Sequence, residues 1–388
     1  MTLSTAPYKG TRDFYPEDLQ RRNYIFQTWK KTMLESGFSE YDSSIIESSD
    51  LYLAKSGEEL GSKQLYSFVD KGDRKIALRP EMTPSLARLV CAKFGELQFP
   101  IRWFSIPNCF RYERPQKGRS REFWQLNLDI IGSKAGASDL EILYILGKIF
   151  LSFGAKKEMF SIRYGHRGLL DSWINAENLE VKKELIYKTL DEWHKIAEES
   201  RSTWMTEIGL DLEEQAKIGQ FVKHPPLDLI KDFPDLVLVN QQIRQILPDV
   251  EYIFDTTIVR GIAYYTGLVF EAFDNNPENN RALFGGGRYD NLLDLFGKSA
   301  EAVGVGIGDL TWDGFLDGWN LWPEKFDNLQ KVGILASGED KLNQIYTETI
   351  PKILKNGKTY EINYEFDRSE NKRWESLKKR NCEEIIKL

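Results

Sequence analysis

Two strand-like runs, "IRWFSIPNCFRY" from Ile101 and "EFWQLNLDII" from Glu122, are separated by a short polar segment with no helical pattern. Strands joined so directly pair antiparallel, because a parallel pair needs a crossover of a dozen or more residues, usually a helix. No repeating strand–helix–strand pattern occurs around them, so the chain reads as α+β, an antiparallel sheet with helices on one side. In "FWQLNLDII" the two-residue period puts Gln125, Asn127 and Asp129 on one face and Trp124, Leu126, Leu128 and Ile130 on the other. The apolar face is expected to pack on helices. The polar face is left either to solvent or to line a site.

The segment between the two runs favours a site. Arg111, Arg114, Lys117, Arg119 and Arg121 fall within eleven residues that contain a single acid, Glu113. The chain as a whole is acidic, with 52 Lys plus Arg against 59 Asp plus Glu and a net charge of −7. Non-specific phosphate binding needs a broad basic surface, which excludes a general nucleic-acid coat. A polyanion would have to be met by a local patch. Arg111 stands at a strand end, where a guanidinium can be held rigidly and grip phosphate or carboxylate through two nitrogens. Pro115 and Gly118 put the remaining charges on a turn. A solvated charged hairpin is the alternative reading.

At 388 residues, 41% of them apolar, the chain has room for two or three domains with real cores. Cys91, Cys109 and Cys382 are too far apart for a zinc site and read as reduced thiols; His166, His194 and His224 are scattered, so no metal motif is expected. The N-terminus lacks an apolar signal core, and no run of about 18 apolar residues occurs. The expectation is a cytoplasmic protein with no membrane segment.

Pro16 and Glu17 open a helix to about Glu35, with Ile25, Trp29 and Met33 on its buried face and Gly37 as its stop. "FSEYDSSIIES" reads as a strand. "RKIALRPEMTPSLARLV" passes from strand to helix, with Thr83 as N-cap, Pro84 first in the helix, and Leu86, Leu89, Val90 and Phe94 as its stripe. From about Arg163 to Val250 the character is helical; "LEVKKELIYKTLDEWHKIAEE" is amphipathic, with Ile186, Leu190, Trp193 and Ala197 on one face. Strands return in "EYIFDTTIVRGIAYYTGLVFEAF" and "RALFGGGRYDNLL". After "NLWPEKFDN" a small α/β unit follows: strand "KVGILAS", helix "DKLNQIYTETIPKILKNG", strand "YEINYEF", helix "KRWESLKKRN", strand "CEEIIKL". The expected division is 1–325, with a helical insertion at 165–250, and 330–388.

"FGGGRYD" and "GVGIGDL" are glycine-rich but fit neither a P-loop nor a dinucleotide fingerprint. Glycines in strands are expected instead to let a flat ligand lie close to the backbone. "RGIAYYTGLVFE" sets Arg260 and two tyrosines ahead of a strand.

In this order, "KGTRDFYP", "LRPEMT", "FRYERPQKGRSREFWQL", "RGIAYYTG" and "GGGRYD" resemble the motifs of the histidyl-tRNA synthetase family of class II aminoacyl-tRNA synthetases, over nearly the whole chain. The resemblance implies an antiparallel sheet of six or seven strands flanked by helices, a helical insertion, and a C-terminal anticodon-binding-like α/β domain that looks incomplete at Leu388. It implies a histidine–tRNA ligase that makes histidyl-adenylate from histidine and ATP, with Mg2+, and passes histidine to its tRNA, acting as a homodimer. By similarity Arg111 and Arg260 are catalytic, and Arg111, Glu113, Arg119 and Arg260 hold ATP. Glu81, Thr83, Gln125, Asp129, Tyr264, Tyr265 and Tyr289 hold histidine, and Arg114 and Gln116 read the tRNA.

Three departures stand out. Ser44 replaces the motif 1 proline, Thr311 stands where an arginine over the ATP γ-phosphate is usual, and Ala263 replaces an aspartate common near Arg260. These features leave one alternative, a catalytically inactive, histidine-binding paralogue acting as regulatory subunit of ATP phosphoribosyltransferase. Arg111, the whole "ERPQKGR" loop and Arg260 weigh against it.

Overall fold

The computed structural model describes residues 3–54, 64–116, 118–260, 265–279, 282–326 and 330–388. Helix α1 (Pro16–Glu35) buries Ile25, Trp29 and Met33 as its four-residue spacing requires, with Glu17 and Asp18 favourably placed in the first turn. "FSEYDSSIIES" forms two short strands rather than one, β1 (Ser39–Glu40) and β2 (Ile46–Ser48), and they belong to different sheets. Between them Arg79 Nη1 donates to Asp42 Oδ1 and to the Ser43 carbonyl, while Ser43 N donates to Asp42 Oδ1. These bonds, two of them from a residue far along the chain, displace ladder pairing.

Helix α2 (Ser49–Leu53) leads on to the hairpin β3 (Ser67–Val69) and β4 (Lys75–Leu78), which with β2 make a three-stranded sheet. Helix α3 (Thr83–Ala92) is capped by Met82 instead of Thr83, without a side-chain cap. Thr83 and Pro84 are its first two residues, so the proline falls where an N–H would have no helical partner anyway.

The main sheet follows. β5 (Ile101–Ser105), β6 (Asn108–Phe110) and β7 (Glu122–Ile131) precede helix α4 (Ala137–Ser152) and β8 (Phe160–His166). A helical stretch runs from α5 (Arg167–Ala176) through α6 (Lys183–Glu192), α7 (Glu198–Glu207), α8 (Leu212–Lys223) and α9 (Leu227–Ile230) to α10 (Pro234–Ile246). Then come β9 (Tyr252–Phe254), β10 (Leu268–Asp274), β11 (Ala282–Arg288), β12 (Ala302–Gly308) and helix α11 (Asp309–Gly318).

The strands lie in the order β1-β5-β7-β12-β11-β10-β8-β9, with β6 also on β7, nine strands where six or seven were expected. The inner six pair antiparallel; only the short edges β1·β5 and β8·β9 are parallel. Leu126, Leu128 and Ile130 on β7 pack with α1, α4 and α11 in one core around Trp29, Phe150 and Trp312.

The amphipathic run at 179–199 breaks in two. Trp193 is buried and capped by Arg201, whose guanidinium stacks at 4.3 Å, and His194 turns to hydrogen-bond Thr257 Oγ1 at 2.9 Å. Ala197 is exposed and caps α7 instead of lining a core. The helices around α6 and α8 have their own cluster, which also takes in Val259, whereas Leu236, Val239 and Ile243 of α10 belong to the main core.

The chain divides into two compact units, Met1–Trp322 and Pro323–Leu388. In the second, β13 (Lys331–Leu335) lies between β14 (Thr359–Asn363) and β15 (Glu384–Lys387), all parallel. Its first helical run is α12 (Leu342–Gln344), a π-turn over Ile345–Thr349 and α13 (Ile350–Lys355), the irregularity falling just before Pro351, which has no N–H to give. Helix α14 (Glu370–Lys379) precedes β15.

Replacing Trp29 by alanine removes the largest fully buried side chain of the main core. It should cost about 3–5 kcal/mol, read as a lowered unfolding midpoint in denaturant.

Candidate active site

A cavity of about 430 Å³ opens over the centre of the main sheet. Its floor is the polar face of β7: Gln125, Asn127 and Asp129 all line it, with Gln125 Nε2 donating to Asn127 Oδ1 at 2.9 Å. These side chains lie across the neighbouring strand β12, where residues 304, 306 and 308 are glycine. A Cβ on Gly304 would sit 1.9 Å from Asp129 Oδ1, and one on Gly306 would sit 1.6 Å from Gln125 Nε2. On β11 a Cβ at Gly285 would lie 2.7 Å from Arg260 Nη1. The strand glycines therefore make room for the protein's own polar side chains, a different use from the close ligand approach expected of them.

Asp129 is buried, and that burial pushes its carboxyl up to about 7 although the Tyr289 hydroxyl donates to it and pulls the other way. Tyr289 is held by its neighbour Arg288, which is fully buried and donates to Asp139, to Ser138 Oγ at 2.7 Å and to Asp290 Oδ1 at 3.1 Å. Tyr265 also lines the cavity; burial pushes its hydroxyl up to about 12 against the pull of Arg260.

The segment Arg79–Thr83 is nailed from two sides. Arg79 Nε donates to the Asn108 carbonyl at 2.8 Å, and Phe110 N donates back to the Arg79 carbonyl at 2.9 Å. Arg111 Nε donates to the Pro80 carbonyl at 2.9 Å, and its guanidinium stacks on Phe123 at 4.9 Å. This fixes Glu81 and Thr83 in the wall and sets the plane of the Arg111 guanidinium beside the cavity.

Arg260 enters from the opposite side. Its backbone takes φ +54°, unusual for a residue with a side chain. Three features hold it there: an ion pair with Glu271 on β10, the open space above Gly285, and Arg167, whose Nη1 reaches the Val259 and Arg260 carbonyls at 3.4 and 3.2 Å. The Glu271 carboxylate holds the Arg260 guanidinium firmly charged in spite of burial.

Glu113 and Arg119 line the cavity mouth and face each other at 3.4 Å. Arg114 and Gln116 are exposed and outside the lining; Gln116 pairs with Arg119 through backbone bonds across the turn. Tyr264, Ala263 and Lys117 lie outside the described residues. Thr311, at the start of α11, also lines the cavity, its hydroxyl donating to the Leu283 carbonyl at 2.7 Å. Several lining residues escaped sequence reasoning, Gln64, Leu283 and Phe284 among them, and two bear on the geometry. Phe123 carries no sign of stacking under an arginine, and Asp309 is bound to Arg12, 297 positions away.

The family profile described as "Histidyl-tRNA synthetase" matches residues 10–308. A histidine–tRNA ligase of Leptospira biflexa is 44% identical over 334 residues, 83% of this chain and 76% of the relative. One from Opitutus terrae is 38% identical over 340 residues, again 83% and 76%. The fold is similar to a histidyl-tRNA synthetase from Nostoc sp. PCC 7120, with TM-score 0.83 at 21% identity, covering 100% of this chain and 92% of that one. It is also similar to a Bacillus halodurans protein described as an ATP phosphoribosyltransferase regulatory subunit/histidyl-tRNA synthetase, with TM-score 0.81 at 20% identity over 100% and 99% of the chains.

The glycine arrangement yields a test. Gly304→Ala would force Asp129 aside without touching the apolar core. Calorimetric titration should show histidine binding weakened at least about tenfold while circular dichroism stays unchanged.

Proposed function

The chain belongs to the histidyl-tRNA synthetase family, and on that premise we propose that its cavity activates histidine with ATP and passes it to the 3′ end of histidine tRNA. The observation that carries the proposal is the meeting of two guanidiniums, Arg111 and Arg260, with the polar floor Gln125–Asp129 in one cavity. Glu81, Thr83 and Gln125 take the substrate α-amino group. Asp129, oriented by Tyr289, accepts an imidazole N–H, with Tyr264 and Tyr265 completing the pocket.

In the first step a histidine carboxylate oxygen attacks the α-phosphorus of ATP, the bond to the β-phosphate bridging oxygen breaks, and pyrophosphate leaves. Negative charge builds on the α-phosphate oxygens. Two fixed guanidiniums stabilise it at no reorganisation cost at the moment of reaction, because both are already held in place. Glu113 and Arg119 complete the nucleotide side. In the second step the ribose hydroxyl of the tRNA attacks the activated carbonyl and AMP leaves; Arg114 and Gln116, exposed on the loop, meet the acceptor end.

Among the described residues no group of three His, Cys, Asp or Glu side chains could hold a metal ion. Magnesium is proposed to enter with the triphosphate, as part of the substrate. The residues that hydrogen-bond imidazole would be left unpaired by an apolar amino acid, which is enough to reject it without editing. Pro323–Leu388 is proposed to meet the anticodon. A homodimer is proposed on the small sheet β2-β4-β3, where Ile46, Phe68 and Val69, with neighbouring Ile45 and Leu53, are exposed. No helix among the described residues is long and apolar enough to cross a membrane, and the protein is proposed to work in the cytoplasm. A purely regulatory role would leave both guanidiniums beside the cavity without a task.

Histidine-dependent exchange of pyrophosphate into ATP tests this reading. The unmodified protein should exchange, and Arg260→Ala should lose about 10²–10³-fold in rate. No exchange with histidine binding intact would favour the regulatory role. With Asp129 titrating near 7, the charged carboxylate that accepts the imidazole N–H is present above that pH and lost below it. KM for histidine should therefore fall as pH rises through 7, and Asp129→Asn should flatten that dependence.

A further inference from the structure

The amino-terminal segment is bonded to the cationic loop and to the α11 wall of the cavity at once. The Gly10 carbonyl accepts from Ser120 Oγ at 2.6 Å and from Arg121 N at 2.7 Å. Gly10 itself sits at φ +84°, and a Cβ there would lie 2.8 Å from both Pro115 Cγ and Arg121 Cγ. Only glycine allows the two segments to come so close in that conformation. Tyr8 OH accepts from Arg121 Nη1 at 3.2 Å, and Thr11 N closes a turn onto the Tyr8 carbonyl at 2.9 Å.

Two residues beyond Gly10, Arg12 Nη2 donates to Asp309 Oδ2 at 2.7 Å. Asp309 lines the cavity and is almost fully buried, and its other oxygen accepts from Trp124 N on β7 at 2.9 Å. Burial pushes the Asp309 carboxyl up, and Arg12 is the strongest of the groups holding it down. Without Arg12, Asp309 would lose its ion-pair partner and keep the field of Arg22, and a desolvated carboxylate would face the side of the cavity that carries Arg111 and Arg119. A triphosphate entering there would meet like charge at low local dielectric.

We propose that Tyr8–Arg12 form a positioning strap for the nucleotide side of the cavity, Gly10 anchoring the cationic loop at Ser120–Arg121 and Arg12 neutralising Asp309. The inference rests on the reading of the cavity as an ATP site, and it adds the residues that set ATP affinity without touching the reacting atoms.

The test is pyrophosphate exchange with ATP and histidine varied separately, on the full chain. Arg12→Ala should raise KM for ATP about tenfold or more and leave KM for histidine within about twofold. Arg12→Lys should recover most of the loss. Arg12→Ala combined with Asp309→Asn should also recover KM for ATP, because the buried carboxylate is gone; a role confined to holding the fold together would instead lower the unfolding midpoint and move KM for ATP and KM for histidine together. An unchanged KM for ATP in Arg12→Ala, or a double variant no better than the single, overturns the charge role.

Hydrogen exchange on the protein without substrates gives an independent readout. Gly10→Ala should speed exchange of the Arg121 amide, and an unchanged rate overturns the anchor. Should the unmodified protein show no histidine-dependent exchange, the ATP reading fails by itself, and the amide measurement still decides whether the strap holds the loop. Should Arg12→Ala fail to fold, Arg12→Lys, which keeps the charge, and Gly10→Ala carry the test by the same readouts.

Discussion

Gln125, half-buried, and Asn127 and Asp129, both buried, can stand in a row because the strand beside them carries no side chains where they lie. A polar group taken out of water needs a partner, supplied to Asp129 by Tyr289 and to Asn127 by Gln125, and it needs room, which β12 gives at Gly304 and Gly306. The antiparallel register of β7 on β12, Asp129 opposite Gly304 and Gln125 opposite Gly308, places that space where it is needed. A slip of one residue would turn the polar row into the apolar core and bring valine and isoleucine over the cavity. The same register leaves Leu126, Leu128 and Ile130 to the helices, so the core and the cavity are two consequences of one pairing.

Cations and acids meet in the lining of one cavity. Arg111 and Arg260 are each fixed by a contact that does not use up the whole guanidinium: a carbonyl and a ring for the first, a carboxylate and a strained backbone for the second. Asp129 lies on the floor of the same cavity, where burial brings its ionisation close to that of an imidazole. An acidic chain thus presents cations in its cavity wall, with the acids there bonded, Asp309 to Arg12 and Asp129 to Tyr289.

What the sequence made legible was whatever depends on local period. The alternation in β7, the buried stripe of α1, the loop between β6 and β7 and the family motifs all follow from neighbours a few positions apart, as does the membership in the histidyl-tRNA synthetase family that those motifs announced. What escaped it depends on distant partners. Asp42 and Ser43 leave the strand pattern because Arg79 draws on them, and the long amphipathic run breaks because His194 finds Thr257. Thr83 gives up its cap role to Met82, whose backbone already turns helical. The glycines of β11 and β12 looked like ligand space because the side chains that occupy it arrive from β7 and from Arg260. Tyr264 falls outside the described residues, so its place is left to the resemblance alone.

Val259 packs into the cluster formed by the inserted helices, and the next residue along the chain is Arg260. The helical cluster is therefore joined to the Arg260 wall of the cavity through one peptide unit, with Arg167 gripping the Val259 and Arg260 carbonyls. Interiors as dense as this transmit small displacements instead of absorbing them. A change in how those helices pack against one another would thus be felt at Arg260, however far from the cavity it began.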